Sequence, residues 1–374
     1  MSKTQETDVK TERLIRVMVE QHLDGVLINA QHNFAWLTAG GSNGVDQSRE
    51  PGVASLLVRR DGKRFVLASK IEMARMLGEE ITSTDFEPIE FGWEEEKGTP
   101  GYVANCSFSV LGAGATLGSD LPAGGNVRLI EDYIARARFS LTEWEIDRLR
   151  SLGSDSGRVI GELVRSLEPG LTEVEIGRRA ADALAGCGAR IVVGLVAADE
   201  RLARFRHPVS GSKRWERIVM VVVCARREGL TASLTRIVCV GSKPDDLHKR
   251  TVAAARVNGR LLASTNIGVS GSQLYEEAAR GYEEEGYPAE IHLHHQGGAI
   301  GYRTRDWVAH PRCSETVQEH QAFAWNPSIT GTKVEETCIV MDGHLEIVTA
   351  SPGWPSIAVQ AADHDYALPD VLEL

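Results

Sequence analysis

The residues best equipped for chemistry lie late in the chain. His292, His294 and His295 fall within four positions, Gln296 and the glycine-rich run Gly297-Gly298-Ala299-Ile300-Gly301 follow, and an acidic pair, Glu335-Glu336, comes after them. Imidazole changes charge nearest to neutral pH and is the commonest nitrogen ligand of metals. If the segment 292–301 is extended, His292 and His294 share one face and His295 takes the other. Two histidines and one carboxylate would then surround a single divalent ion. The plainer alternative is that one histidine hydrogen-bonds in a pocket while the others pack or meet solvent. Glu335 and Glu336, as neighbours on a strand, point to opposite faces, so only one of them can enter a given pocket.

The elements that must position these groups read as two domains. A chain of 374 residues with 42% hydrophobic and 25% charged residues is long for one core and comfortable for two. Residues 1–12 are polar and predict a flexible start without a secretory signal. Residues 13–137 mix helix and strand: a helix over 13–22, a strand at 26–29, and strands at 55–60 and 63–69 joined by the hairpin signal Asp61-Gly62. A helix is expected near 70–78 and a surface loop at 92–101. From about residue 138 three helix starts carry capping boxes: Thr142 with Glu145, Thr172 with Glu175, and Ser270 with Gln273. Between and after them, segments 218–225, 230–240, 292–301, 321–327 and 338–348 read as strands. An antiparallel sheet covered by helices results, giving an α+β class for 138–374.

Charge and cysteine usage narrow the partners. A formal net charge of -11 opposes binding to nucleic acid or an anionic membrane. The longest apolar run, 218–225, is far short of the ~20 residues of a spanning helix. The six cysteines contain no C-x-x-C pair and read as reduced, mostly buried thiols. A cytoplasmic protein acting on a small molecule or short peptide is the expectation. No phosphate-binding glycine loop and no G-x-S-x-G nucleophile elbow is present.

Several ordered segments carry a family likeness. They are His294-His295-Gln296-Gly297-Gly298-Ala299-Ile300-Gly301, Asn326 to Thr337 in N-P-S-I-T-G-T-K-V-E-E-T, Ser233-Leu234-Thr235-Arg236, the segment Asn33–Thr38, and the Pro-Gly turn before Thr172. Together they resemble the creatinase/aminopeptidase P/prolidase, or pita-bread, family. The resemblance implies a smaller creatinase-type α/β domain at 13–137, a pita-bread domain with a curved antiparallel sheet at 138–374, a homodimer, and hydrolysis of C–N bonds, usually with two divalent metals. The family's five ligands are two Asp, one His and two Glu. Here they fall on Val222, or Cys224 if the hairpin is shorter, then on Ser233, Gly298, Asn326 and Glu335. Glu335 alone keeps its ligand type, and the resemblance makes it the glutamate that enters the pocket. Arg305 matches the family's proton-shuttling histidine.

One carboxylate gives a divalent ion little affinity, so the expectation is no metal. The alternative is a single divalent ion held by His292, His294 and Glu335. Creatinase itself works without metal through a histidine, and the comparable residue is His207 in Phe205-Arg206-His207-Pro208 or else His294. Buried without metal, Glu335 is expected to have a raised pKa and to act as acid/base or to anchor an amine or guanidinium; a salt bridge to Arg236 or Lys333 is the structural alternative. His295, Gln296, Asn326 and Ser233 would offer neutral donors and acceptors to a polar amide or urea-like substrate. Arg305, with Arg303, would take a substrate carboxylate. Trp307 and Trp325 would line the pocket or belong to the core. Arg49, in the loop 44–52, is the residue that the resemblance would send into the neighbouring subunit's site. The reading is a metal-independent, creatinase-like hydrolase or lyase acting on a small polar amide, amidine or amino-acid derivative. The alternatives are a non-catalytic pita-bread domain that binds a peptide or protein, and an Xaa-Pro-type metalloaminopeptidase with an atypical metal site.

Overall fold

The chain starts in a helix, Lys3–Glu20, whose apolar side buries Leu14, Val17 and Met18. Residues 3–12 are therefore helical rather than flexible. Lys10 explains the difference: it is buried, paired with Glu6, and donates to the Trp36 carbonyl at 2.7 Å, so the polar turns are anchored by charge as well as by apolar packing. The computed structural model describes residues 2–82, 84–342 and 344–374, and it divides into two units, Met1–Arg138 and Phe139–Leu374.

In the first unit, strands β1 (Gly25–Ala30), β2 (Pro51–Arg59), β3 (Arg64–Ser69), β4 (Glu87–Phe91), β5 (Leu117–Ser119) and β6 (Arg128–Leu129) form one sheet in the order β4-β3-β2-β1-β5-β6. The β1, β2 and β3 pairings are antiparallel and the outer ones parallel. Asp61-Gly62 turns β2 into β3, with Gly62 at φ +87°, a conformation that favours glycine. The helix expected near 70–78 is split into Met73–Arg75 and a π-turn, Met76–Glu80. The expected loop at 92–101 instead contains the helix Trp93–Gly98, because the Glu95 carboxylate accepts from the Gly92 amide at 3.2 Å and closes the first turn.

In the second unit all three capping boxes are formed, and they start the helices Glu143–Arg165, Glu173–Ala185 and Gly271–Glu284; a fourth long helix spans Asp245–Ser264. Strands β7 (Arg190–Ala198), β8 (Ile218–Arg227) and β9 (Leu230–Cys239) run antiparallel, and the last strand of the chain, Leu372–Glu373, pairs with β9. A second sheet contains β10 (Gly297–Ile300), β11 (Trp307–Val308), β12 (Ala322–Trp325), and then Glu336–Met341 and His344–Ile347 in the order β11-β10-β12 followed by those two. Gly343, within the strand expected at 338–348, lies outside the described residues. The two sheets join along β9: the Thr231 amide donates to the Gly301 carbonyl at 2.8 Å, the Ser233 amide to Thr337 Oγ1 at 2.7 Å, and the Thr235 amide to the Glu335 carbonyl at 3.3 Å. The helix Glu143–Arg165 packs on this seam through Gly153, Gly157 and Gly161. A Cβ at any of the three would collide with Val348, Thr349 or Ser351, so the close approach requires glycine.

The segment 292–301 is not one strand. Pro288–His292 is a 3-10 helix, held by Glu290, whose carboxylate accepts from the Thr330 amide and hydroxyl, and β10 begins only at Gly297. The strand alternation expected for His292, His294 and His295 does not apply. Among the described residues no helix is long and apolar enough to cross a membrane.

Candidate active site

Strand pairing brings the first part of the site together. Cys224 lies directly across from Ser233 and Val222 across from Thr235. With a side-chain period of two, these four residues share one face. The Ser233 hydroxyl contacts Cys224 Sγ at 3.0 Å, so Cys224, rather than Val222, is the direct partner of Ser233. Thr235 Oγ1 donates to Glu335 Oε2 at 2.6 Å, and Asn326 Nδ2 reaches Glu335 Oε1 at 3.5 Å. Glu335 is 1% exposed.

Two cations flank this buried carboxylate. Lys333 Nζ lies 3.5 Å from one oxygen and Arg305 Nη2 lies 3.8 Å from the other. Lys333 is two residues before Glu335 in extended chain, which puts both on one side. Burial by itself would raise the Glu335 pKa, but Lys333, then Arg305, then the Thr235 hydroxyl together hold it below the ordinary carboxylate value. The expected rise therefore does not occur, and Glu335 is an ionised anchor. Arg305 Nε and Asn326 Oδ1 are buried without a hydrogen-bond partner among the described residues. Burial, and next the Glu335 charge, push the Cys224 thiol up, so it is a neutral neighbour.

A histidine cluster stands in the same electrostatic neighbourhood. His207 Nε2 and His294 Nε2 are 3.1 Å apart, and ring centroids are 4.9 Å apart for His207 and His294 and 4.4 Å for His294 and His295. His294 Nδ1 hydrogen-bonds the His295 carbonyl. A carbonyl only accepts, so Nδ1 carries the proton and Nε2 of His294 is bare. His294 is buried, whereas His207 and His295 present surface to solvent. The surroundings nevertheless disfavour the charged form of all three rings. Burial and then Lys333 lower the pKa of His207, burial and then Lys333 push His294 down to about 2, and burial and then Arg305 push His295 to about 4. All three are neutral at pH 7.

Arg206 holds the His207 loop in place. It pairs with Glu290 and donates to Ser328 Oγ at 3.1 Å and Thr330 Oγ1 at 2.9 Å. Gln296 anchors the other side: Tyr282 Oη donates to its Oε1 at 2.5 Å, and its Nε2 donates to the His294 carbonyl. Gln296, expected to bind substrate, is thus committed to positioning the histidine loop.

The remaining expected residues are scattered. His292 ends the 3-10 helix, exposed, and the group of histidines able to share an ion is His207, His294 and His295, without His292 or Glu335. Glu336 faces the opposite way from Glu335 and pairs with buried Arg236 at 2.8 Å. Trp325 stacks on Phe323, donates to Thr265 Oγ1 at 3.0 Å, and with Trp307 belongs to the core. Arg49 belongs to the first unit, exposed, with its carbonyl accepting from Gln31. Thr235 and Arg206 were not singled out for the site by sequence, and Lys333 entered only as a salt-bridge partner of Glu335, a pairing that the structure contains. The alternation Lys333-Val334-Glu335 is the signal for that pairing.

The profile of metallopeptidase family M24 matches residues 147–349. The chain belongs to this family. Among solved structures, the prolidase of Thermococcus sibiricus is 14% identical with TM-score 0.78, and 100% of each chain is covered. The Xaa-Pro dipeptidase of Bacillus anthracis is 18% identical with TM-score 0.77, covering 98% of this chain and 99% of that one. The X-Pro aminopeptidase of Thermotoga maritima is 20% identical with TM-score 0.75, covering 97% and 99%. No curated protein sequence gives a significant match. The second unit of this M24 chain is the pita-bread domain, and the first is its creatinase-type α/β companion.

Proposed function

We propose that this M24 chain hydrolyses a C–N bond in a small polar amide, amidine or amino-acid derivative that carries a carboxylate, and that it does so without the family's dinuclear metal centre. Water adds to the carbon of the C–N bond, that bond breaks, and a proton from water ends on the departing nitrogen. The observation that carries the reading is the cation pair on Glu335. Two positive groups, Lys333 and Arg305, face one buried carboxylate at 3.5 and 3.8 Å. A net positive charge kept from water favours an anionic ligand, and Lys333 with the unpartnered Arg305 Nε supplies donors for it. Asn326 Oδ1 remains to accept from a substrate N–H.

The dinuclear centre does not fit this set of side chains. Cys224, Ser233, Asn326 and Gly298 replace anionic or imidazole donors, and Glu335, the one carboxylate left of the set, is already paired with Lys333 and Arg305. At Gly298 even a Cβ would run into the Trp307 carbonyl on β11, so that backbone has no room for a histidine side chain.

The test is a panel of N-acyl, N-carbamoyl and N-amidino amino acids against the same compounds with the carboxylate amidated. Hydrolysis should prefer the free acids by about 10- to 100-fold in kcat/KM, the worth of one charge-assisted contact. Lys333→Met should remove most of that preference through KM. Equal turnover of acids and amides, or a preference unchanged in Lys333→Met, would refute the reading.

A further inference from the structure

We propose that His207, His294 and His295 form a mononuclear divalent-metal site, distinct from the family's carboxylate-rich dinuclear position, which takes a zinc-class ion and leaves a coordination position open to water. One nitrogen from each ring can be chosen so that all three lie within 4.8 Å of one another. Two nitrogens bound at about 2.0–2.1 Å to one tetrahedral zinc are about 3.3 Å apart. The His207 and His294 Nε2 atoms already stand at 3.1 Å.

The hydrogen bonding around His294 selects the tautomer that can coordinate. Its Nδ1–H is spent on the His295 carbonyl, so the lone pair of Nε2 is the one aimed at His207. A backbone carbonyl behind a ligating imidazole is the usual support that fixes ring orientation and strengthens the donor. Without an ion, His207 donates to His294, which satisfies two rings. That pair gives no role to His295, whose ring lies 4.4 Å from one partner and 6.1 Å from the other. An ion uses all three.

The framework is also fixed before any ion arrives. Arg206, bound to Glu290, Ser328 and Thr330, holds the His207 loop, and Gln296, tied to Tyr282 and the His294 carbonyl, holds the other loop. Preorganised ligands lose little freedom on binding. His207 and His295 reach the surface, which gives an ion and a water a way in. Three imidazoles suit zinc, cobalt, nickel or copper rather than magnesium or manganese. Three protein ligands with a fourth position open is the pattern of hydrolytic zinc rather than structural zinc. The use of this ion to activate water rests on the hydrolytic reading above, whereas the binding does not.

The experiment is titration of the full-length, chelator-treated protein with Co(II) alone, read by its visible absorption bands and by metal analysis after gel filtration. One equivalent with the spectrum of a four- or five-coordinate ion, displaced by Zn(II), is expected. His207→Ala and His295→Ala, both at partly exposed positions and checked for folding by circular dichroism, should each weaken binding at least as much as the ~10–100-fold typical of losing a metal's outer-shell support. Glu335→Gln should leave the stoichiometry at one. No uptake by the wild type, or uptake that survives both histidine variants and disappears in Glu335→Gln, would overturn the site. Cobalt binding without any hydrolysis would refute the functional reading and leave the site standing; hydrolysis without cobalt binding would do the reverse.

Discussion

Glu335 and Glu336 are adjacent and both buried, yet they live in opposite electrostatic worlds. Glu336 pairs with Arg236 at 2.8 Å and accepts from Thr349, and the rest of the Arg236 guanidinium is used up on Ser351 Oγ at 2.8 Å, the Thr235 carbonyl at 2.7 Å and the Thr349 carbonyl at 2.8 Å. Burial keeps the Glu336 pKa raised despite the pairing. Glu335 instead has two cations at longer range, a lowered pKa, and unpartnered polar atoms beside it on Arg305 and Asn326. The lesson is that completeness of hydrogen bonding, more than burial, separates an ion pair that holds the fold from one that waits for a ligand.

That contrast can be broken by substitution. Arg236→Met strands a buried carboxylate and should cost about 3–5 kcal/mol in denaturant unfolding. Lys333→Met leaves Glu335 with Arg305 and Thr235 and should cost about 2 kcal/mol or less. Equal losses would erase the distinction between the two faces.

A smaller effect concerns pH. His294 and His295 fall from an ordinary 6.5 to about 2 and about 4 in the fold. Below pH 6.5 the unfolded chain takes up protons that the folded chain refuses, so the stability of metal-free protein should fall as pH drops, first toward 4 and then toward 2. Unfolding curves at pH 7 and pH 5 should differ in that direction, and His295→Gln should narrow the gap. A stability independent of pH across this range would show that the fold does not hold these rings neutral.

Much of the scaffold was readable in sequence because its signals are local. The capping boxes at Thr142, Thr172 and Ser270 and the Asp61-Gly62 turn need only neighbours a few residues away. The first turns of the amino-terminal helix, residues 3–12, were hidden because their stability comes from Lys10 reaching Trp36, a tertiary contact. The site was legible only in part. Glu335 and Asn326 meet, and His294 meets His207, but the alternation assumed for His292, His294 and His295 failed because Glu290 and Arg206 bend that segment for reasons set by distant residues. Lys333 was legible as a salt-bridge partner of Glu335 because it is two residues away, whereas Arg305, distant in sequence, becomes a partner only through the fold.

The most direct test of the central claim is metal content by plasma mass spectrometry after dialysis of wild type and Glu335→Gln against manganese and, separately, zinc. The account predicts no retained manganese, one zinc per chain, and the same zinc content in Glu335→Gln. Two metals per chain that vanish in Glu335→Gln would contradict it and restore the dinuclear centre of the family.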